Sequence, residues 1–226
     1  MSWRTTLFGG SKETQLDYWS RLAPTYDERF GVAQKGLHIG RKAYWIATLA
    51  GMGRGKSVLE IGCGTGAYSR FYAKIEGLEL RVSDLSPAMV ERARQKGVSG
   101  FVADAHNLGM QEQYDAIVGS YVLQYLDLDR ALPEIRRALK PGGRAVFLET
   151  NTWNPYVFLR THLAPWAFGV SREATSFTKG RLAAAFEGHW LTVAKIVPAD
   201  VSPFCFGIPG SYMYSTCRKM VNSGKL

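Results

Sequence analysis

Nowhere in this chain do about 18 apolar residues run together, so no stretch reads as a membrane-spanning helix. Cysteine is scarce. Cys63, Cys205 and Cys217 are odd in number and lack paired spacing, which argues against a disulfide framework and for a reducing compartment. No histidine–cysteine or carboxylate cluster has metal-ligand spacing, so no metal is expected. The opening residues, MSWRTTLFGG, hold no signal-peptide apolar core, and neither repeats nor low-complexity segments occur. These absences lead to the expectation of a cytoplasmic globular protein. At 226 residues, with 46% hydrophobic and 21% charged residues, one domain over 1–226 with a full core is expected.

The formal net charge of +9 would suit nucleic acid, an anionic membrane surface or an acidic substrate. The cations are dispersed, however: Arg41 and Lys42, Arg54 and Lys56, Arg92, Arg94 and Lys96, Arg136, Arg137 and Lys140. Scattered charge is a weaker nucleic-acid footprint than a continuous stripe, so nucleic acid is the disfavoured partner.

What is present centres on VLEIGCGTG, Val58 to Gly66. Val58, Leu59 and Ile61 make a short buried strand interrupted by Glu60. Gly62, Gly64 and Gly66 then allow a tight turn and a close approach of backbone to ligand. An amphipathic stretch from Tyr68 reads as the following helix, giving a nucleotide-type cradle at the carboxyl edge of a parallel sheet. The preceding GMGRGKS is not a P-loop: Ala50 stands where its first glycine belongs, and a strand follows it where a helix should. A dinucleotide fingerprint over Gly62, Gly64 and Ala67 remains the nearest rival. The compact glycine spacing, Glu60 and two acidic sites downstream weigh against it.

Those residues resemble motif I of class I S-adenosylmethionine-dependent methyltransferases. The resemblance continues through SDLSPAMVERAR (Ser83 to Arg94), VADAHNL (Val102 to Leu108), YDAIVGSYVLQYLDL (Tyr114 to Leu128) and LKPGGRAVFLE (Leu139 to Glu149). It is nearest to the small-molecule branch with quinone-ring methyltransferases. It implies an α/β, Rossmann-like three-layer sandwich with a seven-stranded, mostly parallel sheet of order 3-2-1-4-5-7-6. A helical cap (1–50), cofactor core (55–150), acceptor-side insertion and helix (151–190) and C-terminal strands (191–226) are expected.

The cofactor implied is S-adenosyl-L-methionine, held by Glu60, Gly62, Gly64 and Gly66 of the first motif. Asp84, at the tip of strand two, either accepts from the ribose hydroxyls or caps the next helix, a task that Ser86 can also perform. Leu85 and Met89 press on the adenine or simply fill core. Asp104 accepts from the adenine amino group beside the Ala105 N–H, or is a solvated turn aspartate. Tyr26 of the A-x-x-Y-D pattern, with Tyr18 before it, either borders the cofactor's methionine tail or packs the cap. Ile39, Tyr44, Trp45 and Leu49 are expected to face inward from the helix that carries them.

Ser120 and Gln124, at the exit of strand four, border the transferring methyl in the family. Tyr121 and Gln124 are candidates to orient the acceptor. Glutamine cannot act as a base, so His162 or His189 is the candidate general base, with plain surface roles as the alternative. The Asn/Asp-Pro-Pro-aromatic turn of amino-methyltransferases is missing here, which disfavours base or amide acceptors. The aromatic run from Asn151 to Val170, with Trp153, Tyr156, Phe158, Trp166 and Phe168, would wall a pocket for a small apolar acceptor, contact a membrane periphery, or form a subunit contact. The expected reaction is methyl transfer to an oxygen, less readily a carbon, of a small apolar or lipid-like acceptor. RNA modification and a non-catalytic scaffold are the rivals. Nothing in the chain specifies its oligomeric state.

Overall fold

In the computed structural model the described residues are 12–151, 179–189, 191–198 and 212–219. The chain begins with α1 (Lys12–Leu22), which Pro24 ends in a 3-10 turn, Ala23–Thr25, before the short α2 (Tyr26–Arg29). Next comes α3 (Gly36–Ala50), closed by Gly51 in the left-handed region at φ 70°, whose N–H meets the Thr48 carbonyl. Its buried stripe is Ile39, Ala43, Ile46 and Ala50, at spacings of three and four. Only Ile39 of the expected inward set is fully buried. Leu49 is half-buried, while Tyr44 and Trp45 point outward, because the helical period rotates them off the stripe.

Among the described residues seven strands form one sheet of order β3-β2-β1-β4-β5-β7-β6. They are β1 (Ser57–Ile61), β2 (Glu79–Asp84), β3 (Gly100–Val102), β4 (Tyr114–Ser120), β5 (Leu139–Thr150), β6 (Leu191–Pro198) and β7 (Tyr212–Lys219). Strands one to five run parallel, and β7 joins antiparallel to both β5 and β6. This is the Rossmann-like order expected. The reversal point lies between β1 and β4, where open α/β sheets bind ligands beyond the carboxyl ends of their strands.

The intervening helices are α4 (Ser69–Tyr72), α5 (Pro87–Gln95), α6 (Leu128–Ala138) and α7 (Lys179–Gly188). The helix read from Tyr68 is thus only four residues long, continued by tight turns in which Lys74 and Ile75 bond back three residues. Helix α6 starts at Leu128 because Asp127 caps it by accepting from Asp129 N, and Pro133 lies inside it. Leu139 already belongs to β5, pairing Tyr114, so the Lys140–Gly143 turn is a bulge within that strand pair. One core packs the inner faces of β1, β4 and β5 on α6 and α7 through Leu59, Ile117, Phe147, Leu132, Ile135 and Phe186. A second packs α3 on Val58, Val118 and Val146, and a third, smaller one joins Val82, Ala93 and Val98. The aromatic run from Trp153 to Val170, with His162, lies outside the described residues.

Candidate cofactor and acceptor site

The turn after β1 is made of glycines in the left-handed region: Gly62 at φ 63°, Gly64 at 53° and Gly66 at 78°. Each serves a different end. A Cβ on Gly62 would stand 2.4 Å from Val122 Cγ2, so this glycine admits the β4 exit loop. A Cβ on Gly66 would meet Ala93 Cα at 3.2 Å, so that glycine admits α5. At Gly64 a Cβ would meet nothing within 4 Å, and the residue lines a cavity of about 450 Å³.

Asp84, at the end of β2, faces the same cavity. Its Oδ2 accepts from Gly64 N at 2.8 Å and its Oδ1 from Ser86 N at 2.9 Å. Burial raises the Asp84 pKa, opposed by these N–H groups. Helix α5 does not need Asp84 as its cap, because Ser86 Oγ accepts from Met89 N at 3.3 Å with Pro87 at the first helical position. The carboxylate therefore ties the glycine turn to the β2 exit and presents its remaining surface to the cavity.

Asp104 follows β3 and holds His106 twice, at the backbone N (3.0 Å) and at Nδ1 (2.7 Å). His106 Nε2 in turn accepts from Asp127 N at 3.0 Å, which assigns the ring proton to Nδ1. Asp104 is thus no free turn aspartate: it joins the β3 loop to the start of α6. Leu85, Met89, Ala103 and Ala105 complete this end of the cavity.

The cap closes over the top. Asp27 accepts from Thr65 Oγ1 of the glycine turn at 2.5 Å and pairs with Lys96, just past the end of α5, at 2.6 Å. Burial works to raise the Asp27 carboxyl, but the bonds from Lys96 and Thr65 outweigh it and hold it below its usual range. Tyr26 lines the cavity beside Phe30, ring centroids 4.6 Å apart. Its phenol is pushed up to about 12 by burial and by the nearby Asp84 carboxylate, so it is a neutral hydroxyl there. Trp19 meets the Tyr125 ring edge-on at 5.1 Å, sealing α1 against the β4 exit.

The β4 exit lines the cavity as well. Tyr121 has φ 59°, uncommon for a bulky residue, and its N–H bonds the Leu148 carbonyl at 2.7 Å. Its hydroxyl accepts from Lys42 Nζ at 3.2 Å. Gln124 turns its amide onto the Tyr121 carbonyl at 3.0 Å, bracing the loop from within. Behind the loop Glu149 is fully buried, its Oε1 accepting from Leu123 N at 2.9 Å. Burial pushes its carboxyl up to about 8. Ser120 Oγ is buried and lines the cavity without a partner among the described residues. An orphaned buried hydroxyl facing a cavity is a position for a polar ligand group.

The cavity brings together Tyr26, Gly62, Gly64, Asp84, Leu85, Met89, Asp104, Ala105, Ser120, Tyr121 and Gln124. Glu60, Gly66 and Tyr18 are outside its lining. Glu60 instead accepts from Ser69 Oγ, with its carboxyl pushed up to about 8 by burial, and so fixes the turn from below. Tyr18 packs edge-on against Trp19. His189 pairs with Asp129 at 3.3 Å, outside the cavity lining. Sequence reasoning missed Lys42, His38 and Tyr68, which line the cavity; the helical phase of α3 places the first two beside buried Ile39.

Comparison with known proteins bears on this geometry. The family described as Methyltransferase domain matches residues 59–147. The ubiquinone/menaquinone biosynthesis C-methyltransferase UbiE of Burkholderia mallei is 32% identical over 160 residues, 64% of this chain and 65% of that protein. The chain therefore matches about two thirds, not the whole, of such relatives. Among solved structures, a SAM-dependent methyltransferase from Thermotoga maritima is similar with a TM-score of 0.72 and 21% identity, over 90% of this chain and 99% of that one. The cyclase SpnF gives 0.73 and 17%, over 94% and 98%. At such identities the likeness is one of fold, and SpnF shows that one fold carries more than one chemistry. The glycine turn, Asp84 and the sheet order stand with these likenesses: residues 59–147 match a methyltransferase domain, on a fold shared with a SAM-dependent methyltransferase.

Proposed function

We propose that the protein transfers a methyl group to an oxygen, or alternatively a ring carbon, of a small, largely apolar acceptor. The observation that carries this reading is one cavity lined by two unlike sets of residues. One set is the bare Gly64 with Asp84 and Asp104; the other is the apolar group Trp19, Phe30, Ile39, Tyr68, Val122 and Tyr125. S-adenosylmethionine, when bound, supplies an electrophilic methyl on a sulfonium. Gly64 leaves room for it, Asp84 and Asp104 suit its ribose and adenine, and the orphaned Ser120 hydroxyl suits a polar group of its tail.

On the acceptor side the residues orient and desolvate. Apolar walls exclude water from a displacement whose rate depends on alignment. The Tyr121 hydroxyl and Lys42 ammonium form the polar pair that fixes an acceptor oxygen. An ammonium there favours the acceptor that has already lost its proton to water, offsetting the negative charge on its oxygen for attack through oxygen or through a conjugated ring carbon. The UbiE relatives act in quinone biosynthesis by name, which brings a quinone-like ring forward as the acceptor class. The cap (1–50), the core (55–150) and the segments after it are taken as parts of one methyltransferase domain. The test is to incubate the protein with methyl-labelled cofactor and either a hydroquinone or RNA. Label in the hydroquinone supports the reading; label in RNA alone overturns it.

A further inference from the structure

Helix α3 has two working faces. One carries Ile39 into the core and lays Lys35, His38 and Lys42 along the cavity wall. The adjoining face carries Leu37, Arg41, Tyr44 and Trp45 into solvent, with Leu37 87%, Tyr44 66% and Trp45 49% exposed. These are large apolar side chains on one side of one helix, since positions 37, 41, 44 and 45 follow the helical repeat. Phe30, 41% exposed, is a further exposed apolar side chain and lines the cavity. Scattered exposed apolar residues need no explanation, but Leu37, Tyr44 and Trp45 share one face of a helix whose other face lines the cavity, and such a shared face marks a binding surface.

Charge narrows the partner. From residue 30 to residue 59 the chain has five lysines and arginines and no acid. Lys35 and Arg41 therefore bring positive charge from that stretch to the exposed aromatic and aliphatic groups. Tryptophan and tyrosine prefer the headgroup level of a bilayer, aliphatic side chains enter it, and flanking cations are drawn to anionic lipid. A polyanion such as RNA would match the cations but leave Leu37 without a partner.

We infer that the outer face of α3, with Phe30, docks on an anionic phospholipid surface and turns the cavity mouth toward the bilayer. The inference deepens the apolar-acceptor reading, because a lipid-like acceptor would then enter from the membrane side. Its test uses neither acceptor nor turnover, so the two can fail separately.

The full chain is sedimented with phosphatidylcholine vesicles, with and without phosphatidylglycerol, at low and high salt. Binding to the anionic vesicles, weakened by salt, is expected, as is a loss of roughly tenfold or more in Arg41→Glu and Leu37→Glu. Both variants should keep the cofactor affinity of the unaltered protein, which reports an intact fold. A protein that stays in the supernatant with anionic vesicles at low salt overturns the inference, whether or not it methylates a soluble apolar acceptor. So does binding that both variants retain, or salt-sensitive binding to RNA without binding to vesicles.

Discussion

Lys42 Nζ donates to the Tyr121 hydroxyl over 3.2 Å, linking helix α3 to the exit of β4, and both residues line the cavity. Tyr121 holds its ring there from a left-handed backbone position. The pair joins the covering element to the sheet at the place where the acceptor is proposed to lie. Lys42→Met should therefore lower kcat/KM for the acceptor by roughly 10–100-fold, on the scale of a lost electrostatic contact in a dry site. Cofactor affinity, measured separately by calorimetry, should change little. Equal losses in both would place Lys42 in general folding of the cap.

Gly64 and Gly66 predict opposite phenotypes. Gly64→Val puts a side chain into the cavity from a backbone at φ 53°, so it should abolish cofactor binding in a protein that still folds, with about 1–2 kcal/mol of strain. Gly66→Val presses on Ala93 of α5, so its principal cost should be a lowered melting temperature. A folded Gly64→Val protein that binds cofactor normally would move the cradle elsewhere.

Burial of Glu149 makes stability depend on pH in an unusual direction. Its carboxyl rises from 4.5 to about 8 in the folded protein, with burial the largest cause. The folded state then holds a proton that the unfolded chain releases, so stability is full below the unfolded value and declines as pH rises through about 8. Glu60 adds to the same slope. Urea midpoints measured from pH 5 to 9 should fall, and Glu149→Gln should flatten the fall. Gln keeps an oxygen for the Leu123 N–H without a charge to bury. A midpoint that rises across this range would contradict the assignment.

Much of the fold was legible because its signals are local. A buried run ending in Gly62, Gly64 and Gly66 fixed β1 and its turn, Ser86-Pro87 marked the start of α5, and the sheet order came with the resemblance. The errors lie where local signals compete with tertiary phase. Tyr44 and Trp45 look like core residues by type, yet the buried stripe of α3 runs through Ile39, Ala43 and Ile46 and rotates them outward. Glu60 and Gly66 carry the motif without reaching the cavity, because one is held below the turn by Ser69 and the other receives α5. The Lys42–Tyr121 bond joins residues far apart in sequence, and no spacing along the chain announces it.

Cofactor binding is the claim on which the rest depends, and Asp84 tests it most directly. Calorimetry should show S-adenosylmethionine and its demethylated product binding to the unaltered protein, with no comparable affinity for NAD. Asp84→Ala should weaken the cofactor by about 1.5–3 kcal/mol, the range for hydrogen bonds to a charged group. Tight NAD binding with none for S-adenosylmethionine, or an Asp84→Ala protein that binds S-adenosylmethionine unchanged, would contradict the account.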